Sequence, residues 1–344
     1  PTKGIFFAAT SLIGSGMLFL PQAFRNAGLF FSAIIIVFSG FASLFTLNQL
    51  INIGYGDLAR RAYGTRMESV VNASIIMLYL GYSCVGSAFV ATNLRDSFND
   101  LTGCRWHTLS LGFWIAIQGI VLIPLCLIRH MRGFSRVSLV ANVFVFVGLT
   151  YVLSISSRML MQRGYGPNVK HFNSANVPLF LGSAVYTYSN HGFVLPVVAA
   201  MRQPEKMPCL LVLAISTCAL LSLTVGGISY AAFGDTTQQI ILINMPPEAI
   251  ATQVIRVIYA MAVAGAIPMT MYPVYKALES FYFSIASGKH NSCVKFGKNM
   301  FRITLIVSVL TVAAVGADRL DLFVSVIGGV ACVPLGFVYP PLIH

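Results

Sequence analysis

Apolar residues in this chain come in long, nearly unbroken blocks. They show neither the three-and-four spacing of a soluble helix nor the alternation of a half-buried strand. Ten blocks stand out, at roughly 4–24, 28–51, 69–94, 108–128, 137–157, 177–201, 209–233, 254–283, 303–317 and 322–343. Most are long enough to cross a bilayer's hydrocarbon core, which takes about 20 residues of helix. A lone strand cannot cross lipid without leaving its backbone polar groups bare, so each block is predicted to be a helix and the chain an all-α polytopic membrane protein. The ninth block is short, and its helix is expected to begin a turn earlier with Arg302 snorkelling to the interface. Between blocks two and three, Tyr55 to Gly64 is basic and amphipathic and is expected to lie along the membrane surface. The stretch from about Ser157 to Asn176 is predicted to be a polar external loop.

Two blocks are interrupted. The first carries Ser11-Leu-Ile-Gly14-Ser15-Gly16-Met-Leu-Phe-Leu-Pro21, and the sixth carries Tyr186-Thr-Tyr-Ser189-Asn190-His191-Gly192-Phe-Val-Leu-Pro196. Glycine flanking serine weakens a helix centre. One reading is close helix packing on small residues. The other is a pair of broken helices facing a solute. The two share a cadence, Gly-Met-Leu-Phe-Leu-Pro against Gly-Phe-Val-Leu-Pro, and lie about half the chain apart. Interrupted spans at matching places in two halves point to a transporter site between inverted repeats. That gives one transmembrane domain over 1–344, with a first repeat over about 1–158 and a second over about 177–344.

Composition supports the membrane assignment: only 9% of the 344 residues are charged, against about 25% in a soluble domain. The net charge of +12 therefore speaks of topology and not of nucleic acid. With the N-terminus in the cytosol, fourteen Lys and Arg fall on the cytosolic side and eight on the other, which sets that orientation. The seven cysteines show no metal-ligand spacing; Cys104, in an external loop, has no partner there, and buried thiols acting as small apolar residues are expected. The chain opens on Pro1-Thr-Lys and closes on Pro340-Pro-Leu-Ile-His344 directly beside spans, so both ends are expected to continue in a longer protein.

The acids fall at span ends or in loops, leaving no carboxylate deep in the membrane. His191 is the ionisable group nearest mid-span. It either carries or senses a proton and touches solute, or sits neutral on backbone freed by the break. Paired aspartates and an HExxH zinc site are both absent, so an intramembrane protease is not expected, and no enzyme is. If the breaks face each other, N–H groups at Gly14, Ser15 and Gly16 attract an anion, and carbonyls and side chains at Ser189, Asn190 and His191 attract a cation. A zwitterionic amino acid carries both charges. Ser11 belongs to the first interruption and Tyr186 to the second. Tyr82 either closes over the ligand or packs between helices. Thr270, between Pro268 and Pro273, adds a hydroxyl. One threonine is thin material for a sodium site, which favours a proton as coupling ion and leaves sodium open. No other cofactor and no metal is expected.

Gly14-Ser-Gly16-Met-Leu-Phe-Leu-Pro21-Gln-Ala-Phe-Arg-Asn-Ala-Gly28 resembles the first-helix signature of the amino acid/auxin permeases, within the amino acid–polyamine–organocation superfamily. Tyr55-Gly-Asp-Leu with Tyr63-Gly64, Ile123-Pro-Leu with Ile128-Arg129, Met201-Arg-Gln-Pro204, and Ser229-Tyr-Ala-Ala-Phe-Gly-Asp235 followed by Asn244-Met-Pro246 extend the resemblance over nearly the whole chain. Leu18-Phe-Leu-Pro21 and the fourth and fifth blocks are most similar to vacuolar neutral-amino-acid transporters and proton-coupled animal relatives. The resemblance implies two inverted five-helix repeats (5+5) with helices 1 and 6 broken at the site, alternating access, and movement of amino acids across vacuolar, lysosomal or plasma membranes. It also implies eleven helices, so an eleventh is expected beyond the ten seen. The expected function is secondary active transport of small neutral amino acids coupled to protons, by a monomer whose partners are its amino acid substrate and the lipid bilayer. An amino-acid sensor with little transport, and a carrier of another small organic solute, are the alternatives.

Overall fold

The computed structural model describes residues 15–52, 55–103, 109–128, 134–188, 205, 207–282 and 292–339. Every regular element among them is helical. A 3₁₀ turn, Ser15–Phe19, leads into α1 (Leu20–Ala27), with Pro21 in the first turn, where its missing N–H costs no helical bond. Then come α2 (Leu29–Asn52), α3 (Tyr55–Thr102), α4 (Leu111–Leu127), α5 (Phe134–Arg163), α6 (Val177–Tyr188), α7 (Met207–Phe233), α8 (Ile250–Tyr282), α9 (Ser292–Gly316) and α10 (Leu320–Ile327). α10 runs on as two π-helical turns, Gly328–Cys332 and Pro334–Val338. Six described stretches are long and apolar enough to cross a membrane, and the last of them, Cys293–Val338, contains both α9 and α10. α4 and α6 are apolar but shorter.

α3 and α8 form the largest helix pair, with α5 against α8 and α2 and α5 against α7 around it; α9 packs on α4 and α3, and α10 on α6. The buried centre is aromatic: Phe19 of the first turn meets Phe89 of α3 edge-on at 5.8 Å between ring centres, and Phe89 meets Tyr259 of α8 at a tilt at 5.7 Å. The outward faces of α2 and α5, with Phe30, Phe38, Phe41, Phe45 and Phe146 exposed, suit a hydrocarbon surround.

Several helices differ from the hydropathy blocks, each for a local reason. Gly64 (φ 78°) separates a short helix, residues 55–63, from the span proper. Beyond it α3 continues through Arg95, Asp96 and Asp100 to Thr102, because Asp100 is paired and not left in water: it accepts from Arg256 at 2.6 Å. α5 likewise runs six residues past its block, so the connection to α6 begins at Gly164. α9 starts at Ser292, far earlier than expected, and Arg302 does not snorkel. Arg302 is buried, bonded to Glu279 of α8 at 2.5 Å, with its guanidinium 5.0 Å from the centre of the Tyr275 ring. A pair that supplies its own counter-charge lets a cation remain inside a helix bundle.

The connections after α5 and α7 interlock at one end of the bundle. Leu29 and Phe30 donate their N–H groups to the carbonyls of Lys170 and His171, and Asn173 donates to Ala27. The free groups at the α1–α2 turn are thereby satisfied. Gly28 (φ 93°) allows this, since a β-carbon there would lie 2.6 Å from the Phe172 nitrogen. The α7–α8 connection is held at both sides. On one, Arg256 gives two N–H bonds to the Leu242 carbonyl. On the other, Arg25 donates to the Thr237 carbonyl at 2.9 Å and lies 3.9 Å from Asp235.

Candidate functional site

Of the residues expected to line a site, the structure describes Gly16, Tyr82, Tyr186, Thr270 and the main chain of Ser15; Ser11, Gly14, Ser189, Asn190 and His191 lie outside the described residues. Gly16 and Tyr186 come from interruptions half a chain apart, yet they touch. A β-carbon on Gly16 would stand 3.3 Å from a Tyr186 ring carbon. The turn after the first interruption and the last described turn of the sixth block are therefore neighbours, with only a glycine's profile between chain and ring.

Tyr82 joins them from α3. Its ring meets that of Tyr186 edge-on at a centroid distance of 4.5 Å, and its hydroxyl donates to the Tyr186 carbonyl at 2.9 Å. Of the two roles considered for Tyr82, the packing contact is present, and it is polar as well as aromatic. A helix carbonyl normally spends itself on the N–H four residues on. The Tyr82 hydroxyl gives the Tyr186 carbonyl, in the last described turn of α6, a partner in a medium without water.

Thr270 lies on the opposite side of α3. Its hydroxyl is 2.8 Å from that of Ser83 and 2.8 Å from the Ile267 carbonyl, which it reaches as donor; Ser83 also reaches the Tyr79 carbonyl at 2.9 Å. Pro268 and Pro273 each remove an N–H from α8, so a hydroxyl pair here sits where the helix ladder is thinned. Tyr82 and Ser83, adjacent in sequence, thus face the two elements carrying the other candidates.

The tenth block, 322–343, was expected as a span with no part in the site, and α10 with its π turns lies there. Gly182 of α6 and Gly328 of α10 bring their backbones into contact: a β-carbon on Gly328 would lie 1.9 Å from the Gly182 oxygen, and one on Gly182 would lie 2.2 Å from the Ser325 oxygen. A β-carbon on Gly81, beside Tyr82, would lie 2.8 Å from the Ile327 side chain. Cys332, fully buried, closes the first π turn. The Gly328-Gly329 pair was the available signal, and it is shared by many ordinary membrane helices. Among the described residues no group of His, Cys, Asp and Glu could hold a metal ion.

Comparison with known proteins assigns the family. The sequence profile described as "Transmembrane amino acid transporter protein" matches residues 1–344. The chain belongs to that family. It is 34% identical over 351 residues to vacuolar amino acid transporter 3 of Saccharomyces cerevisiae, and 33% over 350 residues to vacuolar amino acid transporter 3 of Schizosaccharomyces pombe. Each alignment covers 99% of this chain and 51% and 52% of those relatives, so the chain spans about half the length of the curated relatives it matches. Amino acid transporter ANT1 of Arabidopsis thaliana is more distant, 24% identical over 97% of this chain and 82% of its own. Among solved structures, that of MhsT in complex with L-phenylalanine superposes with a TM-score of 0.56 at 12% identity, covering 99% of this chain and 96% of that one. That likeness is one of fold alone; the family match makes the chain part of a multi-pass membrane protein family of transporters and not of enzymes.

Proposed function

We propose that the protein is a secondary active transporter that moves small neutral amino acids across the vacuolar membrane by alternating access, driven by protons. The observation that carries the reading is the meeting of Gly16 and Tyr186 under Tyr82, which brings the flanks of both interruptions to one place. Backbone N–H groups at Gly14 to Gly16 bind the substrate carboxylate, and Ser189, Asn190 and His191 bind its ammonium group. The tight fit of Gly16 against Tyr186 favours small side chains. Vacuolar placement follows the printed names of the yeast relatives. The balance of basic residues puts the N-terminus in the cytosol and the interlocked loops in the lumen.

Packing supports a 5+5 repeat. Four of the first five helices pack on the helix five places on, as a two-fold axis near them would arrange. α1 meets α6, α2 meets α7, α3 meets α8 and α4 meets α9. The domain is then a first repeat over about 1–158 and a second over about 177–344.

Radiolabelled alanine uptake into proteoliposomes of the full-length protein, with and without an imposed pH gradient, tests the function. Uptake that rises with the gradient, and loses that rise in His191→Ala, is the expected result. Binding without uptake under any gradient overturns transport in favour of a sensor. Gradient-driven uptake unchanged in the variant returns His191 to a structural role.

A further inference from the structure

α3 and α8 enclose a polar seam that runs beyond the amino acid site. Along α3, Ser69, Ser74, Ser83, Thr92 and Thr102 each give the hydroxyl proton to the carbonyl four residues back, a common resting place for a helical hydroxyl. Ser87 and Ser97 do not. Their hydroxyls, and the side-chain oxygen of Asn93, are buried without a hydrogen-bond partner among the described residues, on residues at most 2% exposed. A bare buried polar group is costly, and three on one helix point to a partner that the chain does not supply. At roughly 100° per residue, Ser83, Ser87, Asn93, Ser97 and Asp100 fall within an arc of about 140° around α3. Contacts with α8 mark that face: Ser83 meets Thr270 at 2.8 Å, and Asp100 meets Arg256 at 2.6 Å. The seam climbs about 25 Å, from the Ser83–Thr270 pair beside Tyr82 to Asp100 at the more exposed end. Successive polar groups stand about 5–9 Å apart along the axis, gaps that one to three water molecules bridge. Gly86 opens the same face. A β-carbon there would lie 3.4 Å from Val263 and 3.5 Å from Ile267 of α8, an ordinary contact, so glycine leaves a space the size of a methyl group, close to that of water.

We infer that this seam is the route of the coupling proton: water held by Ser87, Asn93 and Ser97 carries it from the lumenal end at Asp100 to the Ser83–Thr270 pair beside the amino acid site. The inference rests on the proton coupling proposed above and adds its path. At each hop a water or hydroxyl oxygen takes one proton from behind and releases its own ahead. One proton therefore leaves the inner end for each that enters, and no side chain keeps a charge. Asn93 takes no proton: its amide group donates to the Phe89 carbonyl at 2.8 Å, which leaves its oxygen to hold a water in line. The charges at the entrance are paired, Asp100 with Arg256 of α8 and Arg95 with Asp96 on α3 at 3.1 Å. No carboxylate lies deeper on either helix before Ser83 and Thr270, so passage depends on hydroxyls, water and space.

The test makes two measurements on proteoliposomes of the full-length protein. One is alanine uptake under an imposed pH gradient, with a trapped pH-sensitive dye following proton entry. The other is exchange of labelled for unlabelled alanine without a gradient, which reads the amino acid site because no net proton need move. The double variant S87A/S97A removes both bare hydroxyls. Gly86→Ala fills the space without a clash and removes no polar group, so it is expected to fold. Both are expected to cut gradient-driven uptake and proton entry about five-fold, one hydrogen bond's worth of barrier, with exchange within about two-fold of the parent. Thr92→Ala, whose hydroxyl is spent on the Ala88 carbonyl on another face of α3, is expected to match the parent in both measurements. A full gradient response in either seam variant overturns the route and leaves proton coupling standing. Exchange that falls in step with the gradient response overturns it too, since the seam then serves the fold and not the proton. A parent that exchanges alanine but ignores the gradient overturns proton coupling and the route with it.

Discussion

Gly328 and Gly329 are neighbours on α10 with opposite surroundings, and substituting each by alanine separates steric from intrinsic effects. A β-carbon at Gly328 would stand 1.9 Å from the Gly182 oxygen, 2.5 Å from its carbonyl carbon and 3.0 Å from its α-carbon. A β-carbon at Gly329 would have nothing within 4 Å. Relieving the first clash requires α6 and α10 to part by about 1.5 Å. The obstacle is backbone on both sides, so no rotamer change can absorb it. Overpacking of this kind costs about 1–3 kcal/mol, and a rigid neighbour puts Gly328→Ala toward the upper end. Alanine also favours helix over glycine by up to about 1 kcal/mol, which offsets part of that loss at Gly328 and stands alone at Gly329. The net expectation is about 1–2 kcal/mol lost at Gly328 and up to about 1 kcal/mol gained at Gly329, a difference of several degrees in Tm. Heating the detergent-purified protein and measuring the monodisperse fraction resolves this. Because the α6–α10 spacing also places Tyr186, Gly328→Ala is expected to weaken alanine uptake and Gly329→Ala to leave it unchanged. Equal thermal stability of the two variants would refute the backbone contact and with it the fixed spacing of α6 and α10.

Other predictions concern the site flank and the interlocked end of the bundle. Gly16→Ala forces the Tyr186 ring aside from a 3.3 Å approach and is expected to raise the KM for alanine several-fold with Tm little changed, read from uptake kinetics. Arg256 is 2% exposed and its donors go to Asp100 and the Leu242 carbonyl, so Arg256→Gln, which leaves that carbonyl without its donor while Asp100 keeps Gln253, is expected to cost about 1–3 kcal/mol and lower Tm. Arg25 and Asp235 have side chains 38% and 43% exposed and 3.9 Å apart, so Arg25→Gln is expected to cost under about 1 kcal/mol in the same measurement. The α7–α8 connection is thus anchored firmly on the α3–α8 side and weakly on the α1 side. Thr270 already shares its hydroxyl with Ser83 and Ile267, so Thr270→Val is expected to lose about 1 kcal/mol of stability; replacing sodium by choline should leave uptake unchanged in both parent and variant.

The order of the described helices was legible because lipid allows one solution to a long apolar block, a helix that satisfies its own backbone. Block ends were less legible, since hydropathy counts a charge as an end whether or not it finds a partner. Asp100 lies within α3 and Arg302 within α9 because Arg256 and Glu279 sit opposite them, and those partners are more than a hundred and more than twenty residues away in sequence. The juxtaposition of Gly16 and Tyr186 was legible through the Gly-to-Pro cadence repeated in the two blocks that carry them. The Gly182–Gly328 contact left no such trace, because it depends on two distant helices being free of side chains at one crossing point, and the letters of one helix do not record the other. The packing of α1 on α6, α2 on α7, α3 on α8 and α4 on α9 is likewise a tertiary property, invisible in two halves whose sequences share little beyond a Gly-to-Pro cadence.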